Sequence, residues 1–227
     1  MSELVSAAAT RATARARALA ILGIVLLHMT CYYVVNSTNS HRPAAAFVDL
    51  TLASDRWIPY LGWTWVIYYL GDVYIVMWGA VVFWRIPRRG FVRAVEAYSG
   101  MIVVGAILQL LVPARAPWPV APVAVQQWVH DLISMQPYAC LPSMHVALTV
   151  LPAGISVSVF KSPLLRATSV ALAAMITVST LTLKEHFVLD AVAGLVLGLA
   201  VYAFWRGGRA VAPDSLAEKR GHDVCPS

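Results

Sequence analysis

Tyr138-Ala-Cys-Leu-Pro-Ser-Met-His-Val-Ala147 decides how this chain is read. The stretch closes a long, partly polar connection and opens an apolar run of membrane length. A proline, a serine and a histidine stand together at the mouth of that run. Ionisable groups in a bilayer cost about 2.5–3.5 kcal/mol at mid-membrane on insertion scales, so they mark function by default. His186 stands in the same way at the head of a later apolar run, with Asp190 four residues on.

The surrounding composition calls for a bilayer. Of 227 residues, 59% are hydrophobic and only 12% charged, with a mean hydropathy of +0.70. A soluble domain carries about 25% charge, and this chain cannot cover its surface with polar groups. Its length suits one compact domain of several helices. The formal net charge of +6 sits in short arginine clusters between apolar runs. That is a pattern of membrane topology and gives no reason to expect a nucleic-acid partner.

Six apolar runs can be drawn, at residues 19–35, 59–84, 94–112, 142–160, 164–183 and 187–205. Each is about long enough to cross a hydrocarbon core of about 30 Å as a helix. No repeat or strand pattern competes, so an all-α integral membrane protein with six transmembrane helices is expected. Residues 1–18 form a basic N-terminus, 19–205 the membrane domain and 206–227 a polar tail. The Ala/Arg-rich start resembles a targeting peptide, but no small-x-small cleavage site follows, and residues 19–35 are read as a retained first helix. Residues 36–57 are expected to be a polar loop, with a short interfacial helix at 44–53 and a formal glycosylation sequon at Asn36-Ser-Thr38. Trp57, Trp63, Trp65 and Trp84 rim the second run as an aromatic belt does.

The basic segments are the N-terminus, Arg85–Arg93, Lys161/Arg166 and Arg206–Arg209. A six-helix topology puts all four on one side, which the positive-inside rule makes the cytoplasm together with both termini. His145, His186 and the 113–141 connection then share the outer face, the extracytoplasmic side of a bacterial inner membrane.

The Lys161-Ser-Pro163 turn folds the fourth and fifth runs into a hairpin, which returns His145 and His186 to one membrane level. The fourth run is short, which sets His145 somewhat below the interface. His186 and Asp190, four apart on a helix, share a face. A carboxylate accepting a hydrogen bond from one ring nitrogen fixes the tautomer and leaves the other as a nucleophile. Pro142 suits the first position of a helix, so the amides of Ser143 and its successors, with the Ser143 hydroxyl, would meet an anion. Lys184 and Arg115 are the candidates to balance its charge. These groups together point to phosphoryl transfer on a lipid phosphate or phosphodiester.

Rival readings attach to the same residues. His-x-x-x-Asp is also ligand spacing for a metal, with His41 or His130 as a third ligand, though nothing in their spacing demands it. Ser143 as a hydrolase nucleophile lacks a nucleophile-elbow glycine pattern. Asp72, inside the second run, is read as a structural hydrogen-bonding group, and His28 as a helix-packing or interface residue. Cys31 and Cys140 fall near one face and are read as small buried hydrophobes ahead of a disulfide. A transporter would spread its polar groups at mid-membrane rather than cluster them at one face.

Three motifs in order resemble the type 2 phosphatidic acid phosphatase superfamily. They are Pro113-Ala-Arg-Ala-Pro-Trp118, Pro142-Ser-Met-His145 and Ser179-Thr-Leu-Thr-Leu-Lys-Glu-His-Phe-Val-Leu-Asp190. The chain departs from the common pattern in three places. Met144 replaces a glycine, Thr180 stands where an arginine is usual, and the first motif keeps only Arg115 and its prolines. The Pro-x-x-x-Pro-Trp spacing, the bulky Met144 and His186-aromatic-x-x-Asp190-x-x-x-Gly194 resemble the inositol phosphorylceramide synthase branch, related to sphingomyelin synthases. The resemblance implies His186 as the phosphohistidine-forming nucleophile, Asp190 as its orienting group and His145 as acid and base. It also implies that no metal or other cofactor is needed. The acceptor would be an alcohol in a transferase and water in a phosphatase. A catalytically inactive relative would usually lack one of these three residues.

Overall fold

The computed structural model describes residues 2–117, 122–133 and 138–210; within them the side chains of 2–12, 130, 132, 133 and 208–210 are excepted. Trp118, the His130 side chain and the 211–227 tail with Cys225 lie outside the described residues.

The chain is all-helical: α1 Ser2–Ser40, α2 Trp65–Arg85, α3 Arg88–Leu111, α4 Ala124–Ile133, α5 Met144–Val159, α6 Pro163–Thr182 and α7 Val188–Ala210. No strand occurs among the described residues, only one isolated bridge between Ala114 and Ala139. Five segments are long and apolar enough to cross a membrane, in α1, α2 with the 3-10 turn before it, α3, α6 and α7, whereas α5 is a shorter apolar helix. At 16 residues, α5 spans about 24 Å, less than a hydrocarbon core. Most of its residues are buried, and it packs against α2, α3, α6 and α7.

Glycines set how closely α5 and α7 approach. A Cβ on Gly194 would lie 2.3 Å from the Ser143 carbonyl oxygen, and one on Gly198 would lie 2.9 Å from Val150 Cβ. This i, i+4 pair is the small-residue device by which membrane helices bring backbones together. Met144, the bulky departure before His145, has a matching concession on α3. Its sulfur fills the place a Cβ would take on Gly105, 2.3 Å away.

One end of the bundle gathers the arginines. Arg17 reaches the Phe83 and Ile86 carbonyls at the end of α2, the cationic C-terminal cap that helix ends favour. Arg93 donates to the Phe204 carbonyl at 3.0 Å and Trp205 to that of Gly90 at 3.1 Å. The α2–α3 and α5–α6 turns share this end, and α5 starts at the other.

Several boundaries differ from the sequence expectation. α1 continues to Ser40, so Asn36-Ser-Thr38 is helical. Asn36 is 1% exposed and its Oδ1 accepts from the Tyr138 N–H, which removes the sequon from any glycosylating enzyme. The interfacial helix at 44–53 is instead two 3-10 turns, Ala44–Ala46 and Ala53–Arg56. Arg88, Arg89 and Arg93 belong to α3 rather than a basic loop, since Pro87 starts that helix directly. α4 occupies part of the connection read as irregular. Cys31 and Cys140 are thiols, half-buried and buried.

Candidate active site

The turn before α7 is built by the last residues of α6. The Thr180 carbonyl accepts the N–H groups of both Glu185 (3.0 Å) and His186 (3.2 Å). Lys184 takes the left-handed backbone region, φ 60°, which a non-glycine residue adopts at a cost. Its ammonium is gripped by the carbonyls of Asp55 (3.1 Å) and Ile58 (2.6 Å). Asp55 Oδ1 in turn accepts the Val188 N–H at 2.8 Å, capping the start of α7 from a distant loop. Residues 55–58 therefore brace the turn that presents His186.

His186 sits just ahead of α7 rather than inside it, yet the i, i+4 contact forms: Nδ1 lies 2.8 Å from Asp190 Oδ2. Both side chains are buried, 6% and 0% exposed, in the geometry that fixes an imidazole tautomer. The second imidazole comes from the first turn of α5. Ser143, not Pro142, is the residue flanking that helix, with its hydroxyl accepting from the Val146 N–H. The Ser143 N–H is already given to the Asp190 carbonyl at 2.9 Å. The hydroxyl expected to meet phosphate thus serves as a helix cap, and the first of the expected free amides is used to join the two motif helices.

His145 and His186 face each other with ring centroids 6.3 Å apart. His145 has partners that spacing in the sequence did not reveal. Nε2 contacts Asp72 Oδ1 at 3.1 Å, and the Tyr68 hydroxyl lies 3.3 Å from Nδ1 with the rings 4.4 Å apart. Asp72 is thus the partner of a site histidine, and its side chain is 58% exposed to the space in front of it. Tyr68 and Asp72 share one face of α2, four residues apart. The site is two histidine–aspartate pairs set across a gap.

That gap opens into a cavity of about 430 Å³ between α1, α2 and α3. His145, His186, Asp72 and Glu185 stand at one end; its far end is mostly apolar, with Ile21, Phe83 and Ile102 and the Tyr98 phenol. Glu185 is held by the Gln126 amide at 2.7 Å. No lysine or arginine lines the cavity among the described residues. Lys184 is committed to its two carbonyls, and Arg115 is exposed, its guanidinium 4.3 Å above the Phe47 ring and 5.6 Å from that of Tyr138. The two expected cations are therefore structural neighbours of the site. Thr180, where the resemblance expects arginine, is fully buried and donates its hydroxyl to the Thr177 carbonyl.

No group of three or more histidine, cysteine or acidic side chains able to hold a metal occurs among the described residues. The Cys140 thiol lines the cavity, but burial, with Asp190 and Glu185 nearby, pushes it well above its ordinary titration range. It stays a thiol, which is a poor nucleophile.

The family profile described as PAP2 superfamily matches residues 42–204, a span that holds Asp72, Arg115, Ser143, His145, Lys184, His186 and Asp190. Among solved structures, the chain is similar to the crystal structure of a transmembrane PAP2 type phosphatidylglycerolphosphate phosphatase from Bacillus subtilis. The two are 16% identical, with 87% of this chain and 98% of that one covered and a TM-score of 0.48. No curated protein matches.

Proposed function

The chain belongs to the PAP2 superfamily, and we propose that it cleaves a lipid phosphoester through a phosphohistidine at His186 and passes the phosphoryl or head group to an alcohol. The observation that carries this is the facing pair of imidazoles, 6.3 Å apart, each held by its own carboxylate at one end of an apolar cavity. With its Nδ1–H donating to Asp190, His186 offers the Nε2 lone pair to phosphorus. As the P–N bond forms, the P–O bond to the leaving alcohol breaks, and His145 gives that oxygen a proton. In the second half the acceptor hydroxyl returns a proton to His145, its oxygen attacks phosphorus and the P–N bond breaks. The chain regains its starting state without a metal or cofactor. Acid–base help of this kind is worth about 10²–10⁴-fold.

His145 meets the substrate by exchanging a contact. Its bonds to Asp72 and Tyr68, at 3.1 and 3.3 Å, are longer than the 2.8 Å His186–Asp190 bond. The leaving oxygen takes the place of one of them while the other holds the ring.

The preference for an alcohol acceptor rests on the first-motif spacing, Met144 and the His186–Gly194 pattern, which resemble inositol phosphorylceramide synthases. Transfer to water, as a lipid phosphate or polyprenyl diphosphate phosphatase, is the second reading. The catalytic unit is the 19–205 bundle in the inner membrane of a bacterium. It crosses six times with α5 as the short span, its arginine-rich end and both termini cytoplasmic and the histidines extracytoplasmic. The grouping of Arg85, Arg88, Arg89, Lys161 and Arg206 favours this orientation.

The test is turnover of purified protein on lipid phosphates, phosphodiesters and polyprenyl diphosphates in chelator, with and without polyol acceptors. A new phosphodiester lipid that appears only with acceptor is expected. Free phosphate from monoesters or diphosphates, with or without acceptor, would establish the phosphatase instead.

A further inference from the structure

We infer that His28, on α1, recognises a carbonyl in the linkage between the phosphate and the hydrocarbon chains of the substrate. The substrate is thereby an acyl lipid, ester- or amide-linked, rather than a polyprenyl phosphate. This rests on the reading of His145 and His186 as the reaction centre.

His28 is a half-buried imidazole in the middle of an apolar span, on the face that lines the cavity. Its neighbours on that face, Ile21, Ile24 and Val25 toward one end and Tyr32 toward the other, follow helical spacing. Among the described residues its ring makes no hydrogen bond to protein, though it lies within electrostatic reach of His145 and Asp72. A polar group at this depth is costly unless something pairs with it. Helix packing, the simpler expectation for His28, places no partner there.

The depth of His28 identifies what would meet it. Arg17 joins α1 to Phe83 of the antiparallel α2. His28 lies eleven residues beyond Arg17 and Asp72 eleven residues before Phe83, so both stand about 16 Å from that contact. By this count His28 faces Asp72, the partner of His145, at about the same level. With phosphorus between the two reacting histidines, the lipid runs down the cavity past Asp72, and its first few atoms beyond the ester oxygen reach His28. Farther on the walls are Val76, Gly79, Phe83 and Ile102, mostly hydrocarbon, with the Tyr98 hydroxyl among them. A neutral imidazole carries one donor and one acceptor, so it pairs with an ester carbonyl, or with an amide through C=O or N–H. An isoprenoid chain offers it nothing.

Two probes differing only in the carbonyls decide the matter: a diacylglycerol phosphate and its dialkyl ether analogue. Wild-type protein is expected to favour the diacyl lipid in kcat/KM by roughly tenfold, the size of one net hydrogen bond. In His28→Leu, which suits the apolar stripe, that ratio falls to about one. Equilibrium binding of the same two lipids to His186→Ala reads the preference without turnover, and there too His28→Leu should erase it. A preference under twofold in the binding assay with His28 in place, or one that survives His28→Leu, overturns the proposal. Should His186→Ala turn these lipids over normally, the catalytic reading fails, while the binding comparison still decides the role of His28.

Discussion

The backbone N–H of Ser143 donates to the carbonyl of Asp190 at 2.9 Å. One bond thus ties the entry of α5, which carries His145, to the residue that orients His186. The spacing of the two histidines rests on this helix contact, which Gly194 allows, and on the braced turn that presents His186.

Gly194→Ala should therefore separate the pair. The added methyl would fall 2.3 Å from the Ser143 carbonyl oxygen, which is backbone and cannot swing aside. Overpacking of this kind costs about 1–3 kcal/mol. Thermal unfolding in detergent should show that loss, with turnover falling further than the folded fraction. Unchanged stability and turnover would mean that α5 and α7 are not this close.

Asp72→Asn should lower kcat by roughly 10- to 100-fold, within the range of acid–base catalysis, with KM and melting temperature little changed. Asp72 touches His145 at 3.1 Å and is open to the cavity, so it acts as a positioning residue and little packing is lost with its charge. Equal losses in stability and rate would return it to the structural role that its lone position in an apolar run suggests.

Lys184→Met should destabilise rather than weaken substrate binding. The ammonium bridges the Asp55 and Ile58 carbonyls, and removing it leaves two carbonyls short of a partner, worth about 1–3 kcal/mol. A drop in melting temperature with KM within threefold of wild type is expected. A large rise in KM at unchanged stability would put the ammonium on the phosphate.

Activity should persist in excess chelator. Complete loss, restored by zinc, would favour a metal-dependent reaction over phosphohistidine chemistry.

Much of this arrangement can be read from the chain, and what cannot follows a physical rule. His186 and Asp190 pair because four residues close one turn, and His145 meets them because the 161–163 turn reverses the chain. Both are local consequences of helix geometry. Asp72 is 73 positions from His145; which face of α2 meets α5 is decided by packing, and no spacing encodes it. Lys184 misleads for a related reason. It is adjacent to the site in sequence, but its left-handed backbone turns the side chain onto residues 55–58. Asn36 misleads because an apolar run does not mark where a helix ends, and α1 continues through the sequon to Ser40.

The most direct test is to trap the covalent intermediate. Purified protein is mixed with a lipid phosphate donor without acceptor, quenched in alkali, and the peptide containing His186 is weighed by mass spectrometry. An acid-labile phosphoryl adduct on His186 is expected, absent in His186→Ala, and slower to form in His145→Ala. Turnover with no adduct on His186, or normal turnover by His186→Ala, would contradict it.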